Sequence, residues 1–321
     1  MILVLRALGV GDLATAVPAL RGLRAGFPGR ELVLAAPAWL APLVDLVGAV
    51  DRVLPTDGLA GRPAWPVPPP EVAVNLHGRG PRSHRMLAAT RPDRLLAFAC
   101  PDAGLPDGPA WDDGEHEVRR WCRLLHWYDL PADPADLALR RPPAAGFPAG
   151  ATVLHPGSKS PAKRWPAERF AALARALTAR GHRVVLTGSA DERELARRIA
   201  REAGLPSDAV LAGRTDLAAL AALVADARLV VSGDTGVAHL ATGYGIASVV
   251  LFGPVPPAHW GPPADRPRHR VLGVAHRVQL DRDWAGGDAT HPRLAAILVD
   301  EVLAAVDEAE RAVRVSGAVT A

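Results

Sequence analysis

The chain has 321 residues, 49% of them hydrophobic, with 37 Lys and Arg against 34 Asp and Glu. Such a length buries more than one core and predicts about two domains, and a net charge of only +3 gives no electrostatic case for a nucleic-acid partner. Cys100 and Cys122 are the only cysteines and lack Cys-x-x-Cys or zinc spacing, so they read as reduced thiols of a cytoplasmic protein.

Residues 2–6 read as a strand, followed by the loop Ala7-Leu8-Gly9-Val10-Gly11-Asp12 and an Ala/Leu-rich helix over 13–25, with Asp12 as its N-cap. Asp12 and the scattered Arg6, Arg21 and Arg24 argue against a signal peptide here, and no apolar run is long enough to span a bilayer. A strand at 31–35, a helix at 39–47 and a strand at 52–54 come next, and then a Pro/Gly-rich loop over 55–70. Residues 72–76 form a strand running into His77-Gly78-Arg79-Gly80. After it come a helix at 82–89, a strand at 95–98, a loop at 101–114 and a helix at 115–128. This alternation predicts a parallel, doubly wound sheet.

Residues 140–150 (RRPPAAGFPAG) read as a linker, and the pattern then restarts. Strands are expected at 152–155, 183–187, 210–211, 229–231 and 248–252. The intervening helices begin at Pro166, Asp191, Asp216 and Gly236. Residues 254–292 read as a long loop, and 291–313 as an amphipathic helix packing back toward the N-terminal domain. The expected organisation is an N-terminal Rossmann-like domain over 1–145, a second over 151–290, and the terminal helix.

Ligands in such sheets gather beyond the carboxyl ends of the strands, and four loops there carry chemistry. The first holds Gly11 and Asp12, in a Gly-x-Gly turn that lacks the third glycine of a dinucleotide fingerprint. The second, 155–166 (HPGSKSPAKRWP), contains Ser158 and the only two lysines of the chain, Lys159 and Lys163. An otherwise all-arginine chain that keeps both ammonium groups in one loop points to a need for a compact charge there. The third places Thr187, Gly188 and Glu192 at a strand end. The fourth, Gly233-Asp234-Thr235-Gly236, opens a helix whose unpaired N–H groups and positive dipole suit an anion, with His239 on the same face.

Together these segments resemble glycosyltransferase family 9, the heptosyltransferase family with the GT-B fold. The matching stretches are 2–6 through Gly11-Asp12, 75–79 (NLHGR), His155-Pro156-Gly157 through 163–166 (KRWP), Thr187-Gly188 with Glu192, and 233–236 with His239 and Phe252-Gly253-Pro254. The resemblance implies two Rossmann-like domains facing a cleft and an inverting transfer of a sugar from an ADP-linked donor, usually heptose, to an acceptor hydroxyl. Asp12 would be the general base and Lys163 a phosphate ligand acting in catalysis. The donor would meet Ser158, Lys163, Thr187, Gly188, Glu192 (at the ribose), Asp234, Thr235, Gly236 and His239, and the acceptor Gly11, His77 and Arg79. No metal or other cofactor is implied. The acceptor would be a glycan, glycolipid or small molecule, which is compatible with peripheral contact at a membrane surface. Two other readings remain: a nucleotide-sugar epimerase or hydrolase on the same fold, and a nucleotide-sugar binding module without chemistry. The chain departs from the family in its additional Lys159, in lacking a cysteine-bearing segment after Pro262, and in its distinctive stretch 273–292.

Overall fold

The computed structural model describes residues 1–59, 68–147, 149–273 and 289–319. The predicted loops at 55–70 and 254–292, and most of 273–292, therefore lie partly outside the described residues. The chain divides into two compact units, Met1–Arg140 and Arg141–Ala321.

In the first unit the parallel strands are β1 (Ile2–Leu5), β2 (Leu32–Ala36), β3 (Arg52–Pro55), β4 (Val72–Asn75) and β5 (Arg94–Leu96), in the order β3-β2-β1-β4-β5. β1 is buried throughout and pairs on both edges, Ile2 opposite Leu32 on one side and Val72 on the other. A near-continuous apolar strand of this kind belongs at the centre of a sheet covered on both faces. The covering helices are α1 (Val10–Thr15), α2 (Val17–Gly26), α3 (Ala41–Val47), α4 (Arg82–Ala88) and α5 (Glu117–Trp127). The single helix expected over 13–25 is two helices. Pro18 has no N–H to donate and its ring would clash with the preceding turn, so the chain breaks at Ala16 and Pro18 falls in the first turn of α2.

The second unit repeats the plan with β6 (Thr152–His155), β7 (Val184–Leu186), β8 (Leu229–Gly233), β9 (Ser248–Leu251) and β10 (His269–Leu272), in the order β10-β9-β8-β6-β7. Its helices are α6 (Ala167–Ala179), α7 (Arg193–Ala203), α8 (Leu217–Ala225), α9 (Gly236–Tyr244), the single turns α10 (Pro257–Trp260) and α11 (Pro292–Ala295), and α12 (Val299–Val319). Two expectations are corrected in this sheet. Val210 makes only an isolated bridge to Leu186, and the fifth strand is instead His269–Leu272, inside the predicted 254–292 loop. Its short His-Arg-Val-Leu run lacks a β-branched apolar signature. The terminal helix is also split, and Val302, Val306 and Ala309 of α12 are buried in the core of the second unit with Leu173, Leu177 and Leu251. Leu303 and Ala305 join the same core. Among the described residues no helix is long and apolar enough to cross a membrane.

His269 illustrates a cost of this burial. Its ring is 6% exposed, Nδ1 lies 2.9 Å from Ser248 Oγ, and Nε2 has no partner among the described residues. Burial, with Arg266 and Arg268 adding repulsion, pushes its pKa down to about 4. The unfolded chain, with its histidines near 6.5, takes up the proton first, so stability conferred by the neutral ring is present above pH 6.5 and is lost as pH falls toward 4. Thermal unfolding is expected to show a lower midpoint at pH 4.5 than at pH 7, with a shallower pH slope for His269→Gln. An unchanged slope in that variant would refute the assignment.

Candidate functional site

In each sheet the strand order reverses once: between β1 and β4 in the first, and between β6 and β8 in the second. Loops leaving the carboxyl ends of such neighbouring strands turn to opposite faces and open a crevice. The sequence-predicted residues collect at these two places.

In the first unit the crevice is built around Arg6, the last residue before the loop after β1, which is 1% exposed. Its guanidinium donates to the carbonyls of Asp12 and Leu76, to Thr15 Oγ1 (3.2 Å) and to Glu117 Oε1 (3.2 Å), and it lies 4.7 Å from the Trp121 ring centroid. Glu117, also buried, accepts in addition from Arg120 and from Trp121 Nε1 (3.0 Å). A buried cation is tolerable only when paired and fully hydrogen-bonded, and Glu117 meets that need.

Asp12 is not the N-cap of its helix, as the sequence suggests, but its third residue. Its carboxylate reaches back to accept from the N-cap Gly9 N–H at 3.0 Å. Asp12 Oδ1 is 3.9 Å from the Arg6 guanidinium, and its side chain remains 29% exposed. One oxygen thus closes the helix start while the group stays accessible. Gly11 lies beside it in the first turn. From the loop after β4, His77 brings its Nδ1 to the Ala7 N–H (3.2 Å), which leaves Nε2 to carry the proton of the neutral ring. Burial and the Arg6 charge push its pKa down to about 4 against the opposing pull of Asp12, so His77 is a neutral donor at pH 7. Asn75 holds this loop, donating to Gly78 O and accepting from the His77 N–H. Arg79 is exposed, 3.7 Å from Asp113.

In the second unit, Lys163 ends a single 3₁₀ turn, Pro161–Lys163, in the loop after β6. The loop is clamped from several directions. Arg164 Nε donates to Ser158 O (2.8 Å), Thr290 Oγ1 to Arg164 O (3.0 Å), and the His291 N–H to Ala162 O (3.1 Å). Trp165 is buried edge-on to Phe170 and donates to Ile297 O. Gly233 lets the loop pack closely, since a Cβ there would stand only 3.0 Å from Lys163 O. From this position Lys163 Nζ donates to Asp234 Oδ2 at 2.7 Å, with the two side chains 28% and 10% exposed. The sequence assigns these residues separate partners, but in the structure they pair. Lys159 is exposed on the same loop.

Thr235 occupies the N-cap of α9 without making the usual side-chain cap, and its Oγ1 is buried with no partner among the described residues. At the start of α9 the Ala238 N–H donates to Thr235 O (3.1 Å), while the N–H groups of Gly236 and Val237 before it lack an intrahelical acceptor and carry the positive end of the dipole. His239, one turn on, stands with its ring centroid 6.0 Å from that of Trp260. At the end of β7, Glu192 accepts from the Ser189 N–H (2.7 Å) and leans over Gly157, where a Cβ would collide with its carboxylate, and against Gly188. Thr187 is fully buried, and its hydroxyl is 3.0 Å from His155 Nδ1. Arg6 and Glu117 were not singled out by sequence. The available signal was an arginine ending an otherwise apolar strand, and a Glu-Val-Arg-Arg run opening an aromatic helix.

Two parallel, doubly wound sheets, each with polar side chains converging at its reversal point, are the fold of GT-B glycosyltransferases. The model of glycosyltransferase family 9 (heptosyltransferase) matches residues 110–282, more than half of the chain, and the chain belongs to this family. It is 27% identical to lipopolysaccharide heptosyltransferase 2 of Escherichia coli K12 over 94% of this chain and 96% of that protein. It is 40% identical to lipopolysaccharide heptosyltransferase 1 of Pseudomonas aeruginosa over 47% of this chain, and the match spans less than half, 43%, of that relative. The solved structure of E. coli ADP-heptose lipopolysaccharide heptosyltransferase II superposes with a TM-score of 0.73 at 23% identity, covering 95% of this chain and 97% of that one.

Proposed function

We propose that this enzyme transfers a heptosyl group from ADP-heptose to a hydroxyl of a glycan acceptor, with inversion at the anomeric carbon. The observation that carries the reading is the arrangement beyond β6 and β8: an ammonium, a carboxylate and an unpartnered hydroxyl at the open start of a helix. A departing nucleoside diphosphate gathers negative charge, which Lys163 and the α9 backbone stabilise without a metal ion. Asp234 binds sugar hydroxyls, and Glu192 accepts from the ribose. In the first unit Asp12 takes the proton of the acceptor hydroxyl as its oxygen attacks the anomeric carbon. The bond from that carbon to the diphosphate breaks, and its electron pair leaves with ADP. Neutral His77 donates to the acceptor, and Arg79 offers it a charge at the rim. The names of the relatives, lipopolysaccharide heptosyltransferases, support heptose as the sugar and a lipopolysaccharide-type glycan as the acceptor class.

ADP is expected to raise the melting temperature more than UDP or GDP at equal concentration, because a ligand of the folded state stabilises it more the tighter it binds. Lys163→Ala should diminish the shift. Mass spectrometry should detect heptose transfer when acceptor is supplied and little free heptose without it. A preference for UDP or GDP would overturn the donor assignment, and free sugar released at full rate without acceptor would favour a hydrolase.

A further inference from the structure

One concavity among the described residues has neither Lys163 nor Asp234 in its lining. It is a groove of about 650 Å³ in the second unit, between α7 and the segment from Leu205 to Arg214. Its floor is apolar, from Ala200, Leu205 and Val210, and its walls are Arg193, Arg197, Arg201 and Arg214, with Ser207 at one end. Three of these arginines stand four residues apart along α7, so their side chains stack on one face, where like charges oppose helix formation.

The two sides of α7 are balanced differently. Arg198, on the other face, has its own carboxylates, Glu202 at 2.9 Å and Glu168 at 3.9 Å. On the groove face one exposed carboxylate, Glu194, serves both Arg197 (3.6 Å) and Arg201 (3.4 Å). The Arg214 guanidinium has no hydrogen bond or ion pair among the described residues. Arg193 is committed to the fold, donating to Ala212 O (3.1 Å) and Gly213 O (2.8 Å), and forms a fixed wall. The groove therefore gathers four guanidinium groups against a single shared carboxylate around a hollow of ligand size, and their planar forks match the oxygens of a phosphate group.

We propose that this groove binds a phosphate group, through Arg197, Arg201 and Arg214, at a site separate from the one assigned to the sugar donor. The phosphate belongs either to a soluble phosphorylated compound or to a lipid headgroup, and the test separates the two. Inorganic pyrophosphate is titrated calorimetrically into the full chain with ADP present at saturation, and sedimentation is measured with vesicles of phosphatidylglycerol and phosphatidylcholine against phosphatidylcholine alone. Wild-type protein is expected to bind pyrophosphate, anionic vesicles or both, with R197Q/R201Q at least ~10-fold weaker and R214Q weakened in the same direction. Retention only on anionic vesicles identifies a headgroup, and binding of pyrophosphate alone a soluble ligand. Both variants replace exposed residues and should keep wild-type affinity for ADP, which serves as the control for folding. Binding of neither probe, or binding that the substitutions leave unchanged, overturns the proposal. Loss of ADP affinity in both variants would make the groove part of the nucleotide site and equally refute a separate one.

Discussion

Asp12→Asn is expected to fold, to bind ADP as the wild type does, and to lose turnover by about 10²–10⁴-fold, the range for loss of a general base. The structure makes this substitution clean. The amide oxygen of asparagine can still accept from the Gly9 N–H, so the closed helix start survives, and the cost in stability should be a fraction of the ~1 kcal/mol typical of removing a cap. The substitution removes the negative charge and the capacity to take a proton. A neutral hydroxyl is a weak nucleophile, and the acceptor oxygen needs its proton removed as the new bond forms. Arg6 stays buried and paired with Glu117, so its charge is not stranded. The measurement is turnover at saturating donor and acceptor, with melting temperature and ADP affinity as controls. A variant that folds, binds ADP and transfers at near wild-type rate would place the base elsewhere. One that unfolds would show that Asp12 serves the helix alone.

Glu117→Gln should do the opposite: it acts on stability before chemistry. Glu117 is 6% exposed and is shared by Arg6, Arg120 and Trp121. Removing its charge leaves two largely buried guanidinium groups without their common counter-ion, and breaking a buried pair from one side costs about 3–5 kcal/mol. This is a large part of the ~5–15 kcal/mol by which a domain is stable. The unfolding transition of the first unit should move to distinctly lower urea concentration, while that of the second unit, with its own core, stays in place. An unchanged midpoint would mean that the Arg6 carbonyl contacts and the Trp121 face suffice for the buried charge.

Much of the architecture was legible because its signals are local. Apolar runs of four or five residues alternating with Ala/Leu-rich helices gave the two doubly wound sheets, and Pro/Gly-rich 140–150 surrounds the boundary between the units. The failures were also local in cause. Pro18 was passed over inside an otherwise continuous helical pattern, and His269–Leu272 lacks the composition of a strand, yet it pairs because β9 offers it a free edge. In the site, the loops were readable from their glycines and lysines, but pairings across long sequence separations were not. Lys163 with Asp234, Thr187 with His155 and Arg6 with Glu117 are products of strand order. Each of these partners looked equally suited to a ligand, a cap or the solvent until the sheet brought them together.

The Lys163–Asp234 pair has a kinetic meaning. Lys163 Nζ donates to Asp234 Oδ2 at 2.7 Å, so on the proposed donor reading a phosphate that reaches the ammonium would displace this carboxylate, and one that leaves would be replaced by it. Such an exchange would lower the affinity for the spent nucleotide below what a bare lysine would give. It would also leave the Lys163 ammonium compensated between turnovers. Asp234 would thereby act as a built-in eluent, returning the site to its starting state each time the product departs.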